Sequence, residues 1–184
     1  MLLQFRIKNY RSFRDETILD MTADGISEHN DTLFTFGRDK ILPVTAVFGA
    51  NACGKSNLIS AYQVMAAIVQ NSINWHDEVD EQGRTIVHQV LPEYYPFAFD
   101  LNTRNQDIEF EVWFITRYNE RETVFNYGFK WNLNSITEEW LNKKSKTAAF
   151  GACSTASDRL FYMGGGKEGY ACLGCVFQDR HAFF

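Results

Sequence analysis

The fold is decided by one stretch, Gly49-Ala50-Asn51-Ala52-Cys53-Gly54-Lys55-Ser56. It matches the pattern G-x-x-x-x-G-K-[ST], a loop in which consecutive backbone N–H groups surround phosphate oxygens. The glycines leave room for that backbone turn, and Lys55 supplies a charge for the β- and γ-phosphates. The hydroxyl of Ser56 is placed to ligate Mg²⁺. The stretch therefore predicts a binding site for a nucleoside triphosphate and its magnesium ion.

The residues on either side of this loop provide the context that the motif requires. Residues 43–48 are apolar and rich in β-branched side chains, which predicts a buried strand. After the loop, apolar residues recur at helical spacing, which predicts a helix from about Lys55 to Asn71 or Ser72. Strand, loop and helix in this order favour a phosphate-binding loop over a turn that carries Lys-Ser by chance. The apolar stripe of the predicted helix consists of Leu58, Ile59, Tyr62, Met65, Ala66, Ile68 and Val69.

The composition is that of a globular protein, and no apolar run is long enough to span a bilayer. The chain has 184 residues, of which 45% are hydrophobic and 22% charged, and its net charge is −5. This charge gives no basic field that would attract nucleic acid. The N-terminus lacks the apolar core of a signal peptide, which predicts a cytoplasmic protein with its four cysteines reduced. We expect Lys143, Lys144 and Lys146 to lie in a solvated turn, with DNA contact as the alternative.

Most of the remaining pattern predicts β-structure. The clearest signal is a hairpin, in which residues 108–115 and 125–133 alternate in character around a turn near Asn119. We interpret its aromatic residues as sheet packing and not as a base-stacking platform, because basic residues are not interleaved with them. Further strands are predicted at Leu3 to Ile7, Glu16 to Met21, Leu33 to Phe36, Phe97 to Phe99 and Ile136 to Leu141.

Residues 143–184 differ in character from residues 1–142. They are rich in glycine and cysteine, and their hydrophobic periodicity is poor. We therefore predict a globular lobe over residues 1–142, followed by an irregular tail. The tail raises the alternative of a zinc site, although a single C-x-x-C with outlying ligands is a weak signal. The candidate zinc ligands are Cys153, Cys172, Cys175 and His181.

Two stretches of the sequence resemble a known family. Residues 5–13 and 47–59 are similar to the N-terminal lobe of ABC-type ATPases of the SMC, RecF and OLD group. Within that group the chain looks most like the bacterial AAA-type ATP-binding and abortive-infection proteins. The resemblance covers roughly residues 2–142, and its supporting segments are Pro96–Phe99, Glu109–Val112, Tyr127–Phe129 and Glu138–Leu141.

The resemblance implies an α/β fold of the P-loop NTPase class, an ABC-ATPase-like head lobe whose mixed sheet is extended by an antiparallel β-meander. It implies ATP and Mg²⁺, held by residues 49–56 and Asn57, with Ser56 as the Mg²⁺ ligand. In relatives the turn after the first strand lies near the nucleotide, so that Arg11 and Ser12 become candidates for base or phosphate contact. ATP-driven pairing with a second copy or a full-length partner chain is implied as well. A role in DNA transactions or anti-phage defence would link the chain to nucleic acid indirectly.

Three elements that hydrolysis requires in this family are not found in the sequence. They are an apolar strand that ends in Asp-Glu, an L-S-x-G-type signature and a downstream histidine. Asp100 is followed by Leu101, and the run Val176–Asp179 is interrupted by Gln178. We therefore expect an incomplete head lobe that binds ATP, with turnover at or near background.

Two alternatives to this reading stay open. One is a non-catalytic truncated product or interaction module. The other is a P-loop GTPase or small-molecule kinase, which is less favoured because Asn142-Lys143-Lys144-Ser145 lacks the final aspartate of N-K-x-D.

Overall fold

The computed structural model describes residues 1–23, 28–71, 77–79, 82, 85–87, 92–144 and 157–164. Ten strands, one α-helix and one short 3-10 helix at Asn30–Thr32 lie in this part of the chain. The α-helix, α1, comprises Lys55–Asn71. The strands are β1 (Leu2–Lys8), β2 (Thr17–Asp20), β3 (Phe34–Phe36), β4 (Asp39–Ile41), β5 (Asp77–Val79), β6 (Thr85–Val87), β7 (Ile108–Tyr118), β8 (Arg121–Trp131), β9 (Ile136–Lys144) and β10 (Ser157–Gly164).

The largest sheet has six strands in the order β10-β9-β8-β7-β1-β2, and all neighbouring pairs are antiparallel. Its centre is the hairpin of β7 and β8, which Asn119 and Glu120 join with positive φ. This is the geometry of a type I′ turn, whose twist matches that of the flanking strands. Because Ile7 of β1 lies opposite Phe110 of β7, the turn after β1 comes close to the residues that precede β7.

One face of this sheet forms the core together with α1. The helix contributes Ala61, Met65 and Ile68, which are buried and spaced so that they share one face. Leu58, Tyr62 and Val69 are partly buried beside them. The sheet contributes mostly aromatic side chains, so that the predicted aromatic ladder is sheet packing, as expected. Its buried members in this cluster include Phe5, Phe110, Phe114, Phe125, Tyr127, Phe129 and Trp131.

The other face of the sheet is apolar at one end and polar elsewhere. A second buried cluster, formed by Leu3, Met21, Ile41, Ile115 and Val124, packs together at the apolar end. Beyond it, the same face carries hydrogen-bonded polar groups that are buried or half-buried. The indole of Trp140 there donates to Asn126 Oδ1 at 3.1 Å, and the amide of Asn142 donates to the same oxygen at 3.0 Å.

The prediction of a buried strand before the phosphate loop is wrong. Residues 43–48 form no strand, and none of their backbone groups is hydrogen-bonded to a residue that the structure describes. Val44 and Phe48 are 78% and 89% exposed. An apolar, β-branched run becomes a strand only when a neighbouring strand takes its N–H and C=O groups, and no such neighbour lies beside it in the described ranges.

Two smaller predictions also fail. Residues 97–99 form a loop and a turn instead of an edge strand, because the backbone N–H of Phe97 donates to Oδ1 of the buried Asn9 at 3.1 Å. Ile59, which the apolar stripe of α1 included, is 56% exposed because the buried face of the helix is centred on Met65.

The remaining elements confirm the prediction of an α/β chain with an antiparallel meander. The strands expected near residues 3–7, 16–21, 33–36, 108–133 and 136–141 are all present, and α1 begins at Lys55 as expected. β10 was not predicted, and it extends the sheet beyond β9 with residues of the Gly- and Cys-rich tail. No helix in the described ranges is both long and apolar enough to cross a membrane.

Candidate functional site

The phosphate-binding pattern forms an exposed loop that leads directly into α1. The first helical hydrogen bond runs from the N–H of Leu58 to the carbonyl of Gly54, at 3.0 Å. The N–H groups of Lys55, Ser56 and Asn57 therefore precede it, and they donate to no residue that the structure describes. Free N–H groups in the first turn, together with the positive end of the helix dipole, are suited to bind an anion.

The two glycines of the motif stand where a side chain does not fit. A Cβ on Gly49 would lie 2.7 Å from the sulfur of Cys53. Gly54 has a φ of +99°, which L side chains rarely adopt, and a Cβ there would lie 3.0 Å from Ser12 Oγ. Ala52 between them also has a positive φ, of 63°. The loop thus has a tight backbone whose conformation depends on glycine at both positions.

The side chain of Lys55 lies over the loop. Its Nζ donates to the carbonyls of Gly49 at 2.8 Å and Ala50 at 2.6 Å, and it lies 3.6 Å from the sulfur of Cys53. The ammonium group is exposed and has no carboxylate partner in the described ranges. A positive charge without a carboxylate partner, close to N–H groups at the start of a helix, is an electrostatic arrangement suited to bind a phosphate.

Ser56 and Asn57 have different environments. Ser56 is exposed, and its hydroxyl has no hydrogen-bond partner within the described part of the chain, so it is accessible to a hydrated metal ion. This hydroxyl fits the role of a Mg²⁺ ligand beside bound phosphates. Asn57 donates from Nδ2 to Ser12 Oγ at 2.9 Å and thereby connects the loop to a second segment.

That second segment is the turn of residues 9–13, which we call the β1 turn. It contacts the loop and the start of α1 at three places. Ser12 receives the hydrogen bond from Asn57, the ring of Phe13 lies 3.5 Å from the Cβ position of Gly54, and the hydroxyl of Tyr10 is 3.0 Å from Ser60 Oγ. The structure thus brings Ser12 to the loop of residues 49–56.

The opposite side of the β1 turn is attached to residues 92–107. Asn9 is buried and has a φ of 55°, and its Nδ2 donates to the carbonyls of Thr103 at 2.9 Å and Gln106 at 2.7 Å. Asn9 is therefore the structural link between the first strand and the segment before β7. The N–H of Arg11 donates to the carbonyl of Tyr95 at 2.9 Å, which is a second attachment of the β1 turn to residues 92–107.

Arg11 is exposed and lies against two tyrosine rings. Its guanidinium carbon is 5.0 Å from the ring centre of Tyr95 and 5.5 Å from that of Tyr10. It has no carboxylate partner among the residues that the structure describes. Sequence reasoning identified Arg11 and Ser12 by resemblance, but it missed Asn9 and Tyr95. The available signal for Asn9 was its type, since asparagine tolerates a left-handed turn better than most residues.

In the described ranges, no carboxylate forms an ion pair with the loop. Asp100 caps a turn, because its Oδ1 accepts the N–H of Asn102 at 2.9 Å. No cluster of His, Cys, Asp or Glu suited to a metal ion occurs in this part of the chain. The run Val176–Asp179 and the candidate zinc ligands Cys153, Cys172, Cys175 and His181 lie outside the described residues.

Lys143 and Lys144 lie in strand β9, so the prediction of a solvated turn is wrong for them, and they do not form one patch. Lys143 lies over the ring of Tyr118 at 5.2 Å, whereas its neighbour Lys144 lies over Trp113 at 5.9 Å. Successive residues of a strand point to opposite faces of the sheet, which separates the two charges. Lys146 lies outside the described residues.

No protein-family model, no curated protein and no solved structure matches this chain.

Proposed function

We propose that this chain is the Mg-ATP-binding lobe of an ABC-type P-loop ATPase. The observation that carries the proposal is the loop of residues 49–56, which leads into the N-terminus of α1. Its first N–H groups donate to no described residue, and Lys55 has no carboxylate partner in the described ranges. The β1 turn supports it, since this turn contacts the loop at Gly54 and Asn57. ATP is favoured over GTP because the segments that flank the loop resemble ABC-type heads.

Each residue of the loop has a separate role in this proposal. The N–H groups at the start of α1 hydrogen-bond the phosphate oxygens, and Lys55 exchanges carbonyl contacts for contacts to the β- and γ-phosphates. The bound Mg²⁺ would neutralise phosphate charge, and the Ser56 hydroxyl would be its protein ligand. Electrostatic stabilisation of phosphoryl transfer needs further groups, so we expect turnover near background for the chain alone.

Equilibrium titration of Mg-ATP against the wild type and Lys55→Ala tests the proposal. A hydrogen bond to a charged group contributes about 1.5–3 kcal/mol, which corresponds to a roughly 10- to 150-fold loss of affinity in the variant. Lys40→Ala is the matched control, because it removes an exposed lysine of β4 with the same change in net charge. Equal affinity of the wild type and Lys55→Ala would overturn the proposal.

The metal role of Ser56 has its own test. Titrations with and without Mg²⁺ measure how much the ion strengthens ATP binding. We expect Ser56→Ala to lose most of this gain while it retains the affinity for ATP measured in EDTA. A gain from Mg²⁺ that is unchanged in Ser56→Ala would refute the assignment.

An alternative within the same fold is a non-catalytic interaction module. The exposed apolar residues 43–48 favour it, since such a run is suited to contact another polypeptide. The resemblance also implies ATP-driven pairing of two heads, with a second copy or a longer partner chain. Light scattering of the purified chain with and without Mg-ATP distinguishes the two: nucleotide-dependent dimerisation supports the ATPase head, and nucleotide-independent association supports the interaction module.

A further inference from the structure

Arg11 combines three features that a purely structural surface residue would not need. It is exposed, it carries a charge that no described carboxylate neutralises, and its φ of 49° is unfavourable for a side chain other than glycine, asparagine or aspartate. Strained backbone at such a position occurs often where a side chain must be held for a ligand.

Tyr95 fixes Arg11 in this position by two contacts. Its carbonyl accepts the Arg11 N–H at 2.9 Å, and its ring centre lies 5.0 Å from the guanidinium carbon. The ring of Tyr10 lies on the same guanidinium at 5.5 Å. These rings restrict the rotamers of a long side chain, so that less conformational freedom is lost when a ligand binds.

The position of Arg11 along the chain indicates which part of a nucleotide it meets. The next residue, Ser12, is hydrogen-bonded to Asn57 and lies against Gly54, at the end of the loop where the helix begins. Phosphates bind at that end of such loops. A guanidinium with no anionic partner among the described residues has the charge and the N–H donors for the same groups.

We infer that Tyr95 is a positioning residue of the proposed nucleotide site, which holds the Arg11 guanidinium for contact with a phosphate and not with the base. The inference rests on the proposed function, because it assumes that residues 49–56 bind the triphosphate. It assigns a role to the segment of residues 92–95, which carries no recognisable motif.

A double-mutant cycle of Arg11→Ala and Tyr95→Ala tests this role, with the affinity for Mg-ATP as the readout. A cation–aromatic contact at an exposed site corresponds to a roughly two- to fivefold effect. We therefore expect Tyr95→Ala to weaken binding two- to fivefold in the wild type and to have no effect in the Arg11→Ala background. Tyr95→Phe should bind like the wild type, because the hydroxyl of Tyr95 contacts Glu93 and not Arg11.

Tyr118→Ala provides the matched control. Tyr118 is a partly exposed tyrosine that lies under Lys143, and it is at the far end of β7, about 30 Å along the strand from the β1 turn. We expect its removal to leave the affinity for Mg-ATP unchanged. Melting temperatures of all variants identify a loss of affinity that is caused by unfolding.

Inorganic tripolyphosphate, used in the same titrations, separates phosphate contact from base contact. If Arg11 and Tyr95 act on phosphate, both substitutions weaken tripolyphosphate binding by the same factor as ATP binding. Weaker binding of ATP alone would overturn the phosphate assignment. Equal effects of Tyr95→Ala in both backgrounds would overturn the positioning role while the loss of binding in Lys55→Ala still supports the proposed function. Absence of Mg-ATP binding by the wild type would overturn both.

Discussion

Gly128→Ala is expected to destabilise this protein strongly, although glycine to alanine is a small change. A Cβ at position 128 would lie 2.3 Å from Cζ2 of Trp140 and 2.8 Å from the carbonyl oxygen of Phe110. The first contact requires the indole of Trp140 to move, which we expect to break its hydrogen bond to Asn126. The second is with backbone of the neighbouring strand β7, which cannot rotate away.

The magnitude follows from these two contacts. Overpacking in a closed site costs about 1–3 kcal/mol, and a lost hydrogen bond costs about 0.5–1.5 kcal/mol. The sum of about 1.5–4.5 kcal/mol corresponds to a fall in melting temperature of roughly 3–18 °C for a chain of this size. Circular dichroism during thermal unfolding measures it directly.

Two further variants test the physical reason. A Cβ on Gly37 would meet nothing within 4 Å, but its φ is +63°, so Gly37→Ala reports the cost of a left-handed backbone without any clash, about 1–2 kcal/mol. In a Trp140→Ala background the indole clash is absent, so Gly128→Ala should cost less than it does in the wild type. A melting temperature of Gly128→Ala that lies within about 2 °C of that of the wild type would refute the reasoning.

Two other predictions concern buried polar groups. Asn9→Ala removes the amide that hydrogen-bonds backbone groups of Thr103, Gln106 and Phe97. We expect the free energy of unfolding to fall by about 2–4 kcal/mol and new proteolytic cleavage to occur between residues 97 and 107. An unchanged cleavage pattern would contradict this. Burial raises the pKa of Glu139 above its ordinary value of 4.5, although a hydrogen bond from Tyr127 opposes the shift. A raised pKa in the folded state means that the penalty is absent below pH 4.5 and grows as pH rises through the folded value. Glu139→Gln should therefore melt at a higher temperature than the wild type at about pH 7.5 and at the same temperature near about pH 4. Thermal unfolding at both pH values measures this, and a difference in melting temperature that does not depend on pH would contradict it.

Local patterns were sufficient to predict most of the fold. The alternation in β1, β7 and β8 and the helical spacing after Lys55 each reflect which side chains the element itself can place on one face. These patterns are properties of short segments, so they can be read without knowledge of the neighbours. The turn at Asn119 was recognisable for the same reason.

The failed predictions all concern segments whose state depends on distant residues. Residues 43–48 have the composition of a strand but no strand beside them in the described ranges, and residues 97–99 are held by Asn9 from 88 positions away. Neither the missing strand neighbour nor the hydrogen bond from a distant residue can be recognised in the local sequence pattern. The exposure of Ile59 likewise depends on which face of α1 meets the sheet.

The sequence by itself determined the position of the loop at residues 49–56, with its phosphate-binding pattern, and of the helix that follows it, because such a pattern consists of particular residue types at fixed spacing. Only the tertiary structure decided what surrounds the loop. Pairing of β1 with β7 places the β1 turn between the loop and residues 92–107, so that Ser12 meets Asn57 and Arg11 meets Tyr95. These contacts join residues far apart in the chain, and their geometry is set by strand register and helix packing, which no local spacing encodes.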